Sequence, residues 1–546
     1  MEKIKDFFVE RRKWLFIMLI TIVVILLPTF QKNLVIGDDY EFHLSRIITL
    51  AKGLENGEFP VKIHPLFARN HGYASGIFYP NMFMYIPAVL YLIGLNIVQA
   101  YNIFLLIMIF LMFVLTYDSI KNITDETNSA LIGTILVILS KVMCINLYLR
   151  FAVGEFLGLI FLVPIVSGMY DFIYKDFKKP YLLFIGFFGI VNSHIISTII
   201  AIIYCIVYFI IHLRLIKFRN VAKLFVVAIL VIMITSSFWM PMIEQLSIQE
   251  YKLTDRWVHI ESEEYYLYDL LSNQKFSIGL LITILMPMLI YALFDKRISN
   301  KSKKFILLLF VIMILTVTPK FWDLTKDVFG IIQFKWRLLG LLTILSSISL
   351  TLVIKEYSQI LEIKLESVMM SILVLSIFFT LQFNISDFKT SARLRSAEDL
   401  DAVYYANTSI GVGQEYLPIE VNYNNIKIEN QAKSNIDEEV EVTKRNLHTE
   451  FETQKDYDYI VIPSVYYYGY VGNIVDNEGK VESLKIEKAD NGLVKVLTEG
   501  KEGKVSVWYN GTRIQKVSYI ISLFTGFMLI AYLIIKKIKS KKIIEN

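Results

Sequence analysis

The chain has 546 residues, 55% of them apolar, and a mean hydropathy of +0.52, which excludes a small disulfide-stapled domain and a disordered polymer. Its 55 basic and 50 acidic residues leave a formal charge of +5, a near balance that offers no broad face for nucleic acid. The two cysteines, Cys144 and Cys205, both lie in apolar runs, so neither a disulfide framework nor a cysteine-rich zinc site is available.

Residues 14–29 follow Lys3, Lys5, Arg11, Arg12 and Lys13 and read as an uncleaved N-terminal anchor. Further apolar stretches near 97–118, 129–148, 157–174, 181–213, 222–241, 276–294, 305–318, 336–354, 367–383 and 515–535 are long enough, or nearly so, to cross ~30 Å of hydrocarbon. Clusters of Lys and Arg at 175–179, 214–223, 296–304 and 536–542 just beyond such stretches mark cytoplasmic loops. With 181–213 read as two spans broken near Asn192–His194, the parity gives twelve crossings with both termini cytoplasmic. Residues 81–95 are then too short to cross and fit a re-entrant or interfacial segment. The expected fold is a polytopic α-helical membrane protein of about twelve transmembrane helices, with residues 30–80, 149–156, 192–195, 242–275, 319–335 and 384–513 outside the cell.

Residues 384–513 carry 22 acidic and 15 basic side chains, and runs such as 457–472, 480–488 and 504–511 are rich in β-branched and aromatic residues. An exported, mostly β domain is predicted there, between a membrane domain over 1–383 and a last helix with a basic tail over 514–546.

The first exported loop contains Gly37-Asp38-Asp39-Tyr40-Glu41-Phe42-His43-Leu44-Ser45-Arg46. A helix running from Asp39 would set Asp39, His43 and Arg46 on one face. Adjacent carboxylates at a membrane surface can take a proton from an attacking hydroxyl or hold a divalent cation beside a phosphate, and their plain alternative is capping a helix. Tyr79, among Tyr73, Phe78 and Tyr85, belongs to an aromatic stretch suited to an interface or a sugar-binding wall. Polar residues that flank or interrupt apolar segments are costly there and so draw notice: Arg150 with Glu155, His194, and Lys335 with Arg337. The cations suit an anionic head group such as a lipid phosphate. Their plain readings are an internal ion pair for Arg150 and Glu155, an interhelical hydrogen bond for His194, and snorkelling for Lys335 and Arg337. No P-loop, GxGxxG or HExxH motif occurs, so nucleotide hydrolysis, dinucleotide redox and zincin chemistry lack their signatures.

The segments GDDYEFHLSRI, GYASGIFYPNMFMYIPA, RFAVGEFLG, NSHIIST, QFKWRLLG, GQEYLP and IPSVYYYGY, in that order, resemble the bacterial membrane proteins called 6-pyruvoyl-tetrahydropterin synthase-related and their YfhO-type relatives. These are grouped with the GT-C glycosyltransferases, and the resemblance covers almost the whole chain. Pterin synthase chemistry would need a His-x-His pair, which this sequence lacks. The GT-C resemblance implies transfer of a sugar from a polyprenyl-phosphate-linked donor to an extracytoplasmic glycan, lipid or protein acceptor. It also implies an acidic residue of the first exported loop at the centre, here Asp38 or Asp39. That residue would act either as general base or as ligand to a divalent cation such as Mg or Mn, and His43, Arg46, Tyr79, Arg150, Glu155, His194, Lys335 and Arg337 would hold substrate. Two other classes compete with this expectation: a transporter of lipid-linked glycans, and a non-catalytic membrane scaffold in which the β insert is the working part.

Overall fold

The computed structural model describes residues 2–254, 259–388, 393–400, 408–426 and 431–545. It is mostly helical. Its longer helices are α1 (Glu2–Leu26), α2 (Tyr40–Glu55), α3 (Tyr85–Leu92), α4 (Ile97–Thr124), α5 (Thr127–Ile138), α6 (Val153–Tyr174), α7 (Tyr181–Val191) and α8 (Ile195–Ile211). They continue as α9 (Phe218–Ile234), α10 (Ser236–Ile248), α11 (Leu280–Phe294), α12 (Asn300–Val317), α13 (Pro319–Phe329), α14 (Leu339–Ile360), α15 (Leu365–Phe388) and α16 (Arg513–Glu545). The chain gathers into two compact units, one of residues 1–40, 95–228 and 256–400, the other of 41–94, 229–255 and 401–546.

Six helical segments are long and apolar enough to cross a bilayer: Arg11–Thr29, Ile97–Thr124, Val153–Tyr174, Lys335–Ile360, Leu365–Asn384 and Arg513–Ile538. Three bent helix pairs raise the number to nine if each is one span. This agrees with a membrane protein, whereas helix length does not establish the twelve crossings expected from sequence. Of the stretches counted there, α7, α8 and α11 hold 11, 17 and 15 residues, about 17, 26 and 23 Å of helix against ~30 Å of hydrocarbon. Residues 81–95 form only a 3₁₀ turn and the eight-residue α3.

In the first unit α6 is the central rod, buried along its whole length. Glycines bring α7 against it: a Cβ on Gly189 would stand 2.0 Å from the Phe161 ring, and one on Gly186 would stand 2.5 Å from Ile165. Small residues let helix backbones approach where lipid offers no hydrophobic drive for association. The chain breaks between α7 and α8 at Asn192–His194, where polar side chains satisfy helix-end groups. Asn192 donates to the Phe188 carbonyl (2.8 Å), Ser193 donates to that of Gly189 (2.6 Å), and His194 caps α8 by accepting the Ser197 N–H. A two-stranded ladder of β1 (Leu34–Val35) and β2 (Leu394–Arg395) also belongs to this unit.

The second unit is built on an antiparallel sheet of nine strands. They are β3 (Gln431–Ser434), β4 (Glu439–Glu441), β5 (Thr443–Arg445), β6 (His448–Thr453), β7 (Tyr459–Val465), β8 (Tyr470–Val475), β9 (Val481–Lys488), β10 (Leu493–Leu497) and β11 (Gly503–Tyr509). The order β4-β3-β7-β10-β9-β8-β11-β6-β5 puts two strands that are consecutive in the chain at opposite edges, so the sheet curls like a barrel and the short β4–β5 link joins its ends. Alternate residues such as Ile460, Ile462, Val494, Val496, Val505 and Val507 fill the interior. Residues 63–78 add Phe67, Tyr73 and Phe78 to the same core, and the Val465 N–H donates to the His71 carbonyl at 2.8 Å. Within this unit α10 and α16 pack through serines, the Ser236 hydroxyl reaching both the Ser518 carbonyl and the Ser522 hydroxyl at 3.0 Å.

His71 is buried, and burial, then the Lys444 ammonium, hold its pKa down at about 4 against an ordinary 6.5. The unfolded chain therefore binds the extra proton first, so stability from this group is complete above pH 6.5 and falls as pH drops toward 4. Thermal melts of the full chain between pH 7 and pH 4 should show this decline, and His71→Gln should flatten it.

Candidate functional site

The carboxylates of the first loop are placed by backbone rather than by a helix. Gly37 lies so close to residues 148–151 that a Cβ there would stand 2.6 Å from the Phe151 nitrogen and 2.7 Å from the Tyr148 carbonyl oxygen. With glycine at this point, the Asp38 and Asp39 N–H groups donate to the carbonyls of Leu149 (3.1 Å) and Arg150 (2.8 Å). The helix expected from Asp39 accordingly starts at Tyr40, leaving Asp38 and Asp39 in a turn. The segment they dock on is itself irregular. Ile145–Leu149 is a π-helical turn, the Arg150 N–H bonds back to the Ile145 carbonyl (2.8 Å), and Phe151 takes a φ of 57°.

This geometry gathers distant charges. Glu155, in the first turn of α6, accepts from Arg150 Nη1 at 2.6 Å and from Arg337 Nε at 3.2 Å. Asp39 lies 3.9 Å from the Arg150 guanidinium, and Asp38 pairs with Lys275 at 3.0 Å. Arg337 also donates to the Ile332 carbonyl (2.9 Å) and to Gln333 Oε1 (2.5 Å). The Arg150 guanidinium lies 4.2 Å from the centre of the Trp336 ring, which stacks on Phe276 at 4.5 Å and on Phe334 at 5.0 Å. Glu155, His194, Asn146, Trp336 and Arg337 line a common cavity of about 30 Å³, room for a water or two.

The pKa of half-exposed Asp39 is raised. Partial burial is the main cause, Arg150 pulls the other way, and Glu155 and Asp38 add to the rise. Burial pulls the Arg150 pKa down, but the carboxylates of Glu155, Asp39 and Asp38 together raise it. Asp38 and Asp39 turn to different cations, and among the described residues no three His, Cys, Asp or Glu side chains gather as a metal-ligand set.

The other residues singled out by sequence go elsewhere. Buried Lys335 donates its ammonium to the Glu263 carbonyl (2.5 Å) and its N–H to the Glu263 carboxylate, so it serves that loop and not the Glu155 cluster. His43, Arg46 and Tyr79 form a network of their own in the second unit. Arg46 is buried, with Nη2 on the Pro80 carbonyl (2.6 Å) and Asn81 Oδ1 (2.7 Å), Nη1 on His43 Nδ1 (3.2 Å), and the Tyr79 ring 4.3 Å away. Burial lowers its pKa. Lys275, Phe276, Gln333 and Trp336 are site residues that sequence reading missed; only the aromatic pair Phe334 and Trp336, beside Lys335 and Arg337, could have hinted at a stacked wall.

No family model matches the chain. Over 192 residues, 34% of this chain, it is 27% identical to an uncharacterized protein of Lactococcus lactis subsp. cremoris (strain MG1363). The match spans 31% of that protein's length.

Glu155→Gln removes the one carboxylate that separates two guanidinium groups in a mostly buried setting. Breaking such a pair leaves uncompensated charge and costs about 3–5 kcal/mol. Thermal melts in detergent should show a large loss of stability, with Glu155→Asp less affected; an unchanged melting temperature for Glu155→Gln would contradict this account.

Proposed function

We propose that the chain is a membrane glycosyltransferase of GT-C type that moves a sugar from a polyprenyl-phosphate-linked donor to an extracytoplasmic acceptor. In this reading the family resemblance holds, and the nine long or bent spans together with α7, α8 and α11 make twelve crossings. Both termini are cytoplasmic, and the strand-rich region and the Asp38–Asp39 loop are outside. The observation that carries the reading is the meeting of Asp39, Arg150, Glu155, His194 and Arg337 in one unit. These residues come from segments that the positive-inside pattern assigns to a single face, although up to 298 positions apart in sequence.

The Arg150 and Arg337 guanidinium groups, which Glu155 and ionised Asp39 balance in charge, offer hydrogen-bond donors suited to a phosphate leaving group. Asp39, half exposed beside Arg150, is the base. The acceptor hydroxyl oxygen attacks the anomeric carbon, its proton passes to the Asp39 carboxylate, and the bond from carbon to phosphate oxygen breaks with its electron pair leaving on the polyprenyl phosphate. The cavity of about 30 Å³ is too small for a sugar, which is read as lying at the exposed carboxylates, its lipid tail in the bilayer. The scaffold reading draws on one fact: the charges described here are engaged by partners within the chain.

Purified protein incubated with a panel of polyprenyl-phosphate sugars should release polyprenyl phosphate. Asp39→Asn, which keeps size and turn geometry, should reduce release by ~10²-fold or more, with Asp38→Asn less affected. Wild-type release should fall as pH is lowered through the raised Asp39 pKa, because the protonated carboxyl cannot accept the proton. Normal transfer by the Asp38→Asn/Asp39→Asn double variant would favour the scaffold.

The orientation is tested separately by cysteine labelling in a background lacking Cys144 and Cys205. Asn56→Cys and Asp437→Cys, both at exposed positions, should react with an impermeant reagent on intact cells while Lys178→Cys is protected. The reverse pattern would overturn the topology.

A further inference from the structure

We propose that the second unit seats an anionic lipid on the turn 57–62 and α3, with the lipid phosphate at Lys62 and the acyl chains over Phe59, Val89, Leu92 and Ile93. This site stands independently of the glycosyl-transfer reading and requires only that α16 cross the bilayer. That helix fixes the height. Its Arg513–Ile538 stretch is long and apolar enough to span, and no charged residue occurs between Lys516 and Lys536. Tyr519, three residues past Lys516, therefore stands at the boundary between headgroups and acyl chains, the level at which tyrosines collect in membrane proteins.

The turn 57–62 is held at that level by its own contacts. The Lys62 ammonium lies 5.2 Å from the centre of the Tyr519 ring and donates at 2.9 Å to the Ser237 carbonyl, which Pro241, four residues on in α10, has no N–H to bond. The Val61 N–H donates to the Tyr85 hydroxyl oxygen at 2.8 Å, and the Phe59 and Tyr85 rings meet edge to face with centres 5.3 Å apart. Tyr85 is in turn an electrostatic neighbour of Tyr519. Lys62 makes no ion pair among the described residues; Glu58, on the same turn, faces Tyr85 instead. The Tyr85 hydroxyl keeps its own hydrogen to give, and the Tyr519 hydroxyl makes no hydrogen bond among the described residues. All three side chains are partly exposed. One ammonium and two phenols thus offer hydrogens at headgroup level, and a phosphate brings the matching acceptors and the opposite charge.

What lies beside these donors points to a lipid as the source of the phosphate. α3 buries Pro87 and Ala88, with Met84 just before them, and presents Val89, Leu92 and Ile93, spaced i, i+3 and i+4, outward. Phe59 is 75% exposed and Ile93 71%. Residues 81–95 contain no charged side chain, an unusual surface to leave facing water. With eight residues, about 12 Å, α3 is too short to cross the bilayer. The exposed apolar face of α16 begins at the same height with Ile520 and Leu523, so the lipid that covers α16 also covers this patch.

The test uses the full chain in a neutral detergent, with native mass spectrometry of added phosphatidylglycerol or phosphatidylcholine of the same acyl chains. Wild type should retain phosphatidylglycerol ~10-fold better than phosphatidylcholine, Lys62→Gln should lose the preference, and Lys62→Arg should keep it. Phe59→Ser, at an exposed turn, serves where Lys62→Gln does not fold, and should lower retention of both lipids several-fold. Equal retention of the two lipids by wild type, an unchanged preference in Lys62→Gln or unchanged retention in Phe59→Ser would overturn the proposal. A dimer that Phe59→Ser dissociates would assign the apolar patch to a second copy of the chain and overturn it as well. Inorganic phosphate at the same concentration should leave the bound lipid in place; displacement by it would assign Lys62 to a free anion and overturn the lipid assignment.

Discussion

The Glu155 carboxylate, held between Arg150 and Arg337, is the interaction on which the first unit's polar end depends. Each partner comes from a different irregular segment: Arg150 from the end of a π turn, Arg337 from the 3₁₀ turn before α14, and Glu155 from the first turn of the central rod α6. Three helix ends with unsatisfied backbone groups would otherwise splay at that level. The ion triad ties them, and the stacked Phe276, Trp336 and Phe334 rings cover the Arg150 guanidinium and limit water access to it. Glu155 does this because a carboxylate offers two oxygens, one for each arginine, which no neutral acceptor of the same size could do without leaving a cation unmatched.

Much of the architecture is written in local composition. The runs 457–472, 480–488 and 504–511 become β7 with the start of β8, β9, and β11, since alternation of β-branched and aromatic residues with polar ones needs only a two-sided sheet to satisfy it. The break at Asn192–His194 is equally legible, because three polar residues inside an apolar run have to find partners, and they find helix ends. Arg150 and Glu155 could be paired from sequence as an internal ion pair; that Arg337 shares the same carboxylate could not, as nothing near it in the chain encodes a partner 182 positions away. Lys275 and Phe276 are invisible for the same reason. The shared face of Asp39, His43 and Arg46 misled, because a period of 3.6 presumes a helix, and at Asp39 the backbone is already claimed by the carbonyls of 149 and 150.

The grouping of residues into units follows a different logic from the order of apolar stretches. Residues 63–78 lie between the first anchor and the next long span, yet their aromatic side chains complete the interior of a sheet whose strands begin past residue 430. A curled sheet of short strands has an open end that its own alternating side chains do not fill, and Tyr73 and Phe78 supply the missing bulk. The β insert is therefore not self-sufficient: without residues from the first loop, part of its apolar interior would face water.

The π turn at Ile145–Leu149 sets the direction of Arg150, the residue that closes it. A five-residue repeat in place of the α-helical turn holds one residue more than the same length of ordinary helix requires, and that surplus rotates the Arg150 side chain toward Glu155 and Asp39. The chain thus stores the position of its arginine as a count. Losing one residue from this turn would let the helix relax to regular winding, keep its hydrogen bonds and its apolar surface, and swing Arg150 about 100° around the axis. Length variation at this spot, more than substitution, is what would separate a descendant that keeps the charged cluster from one that keeps only the fold.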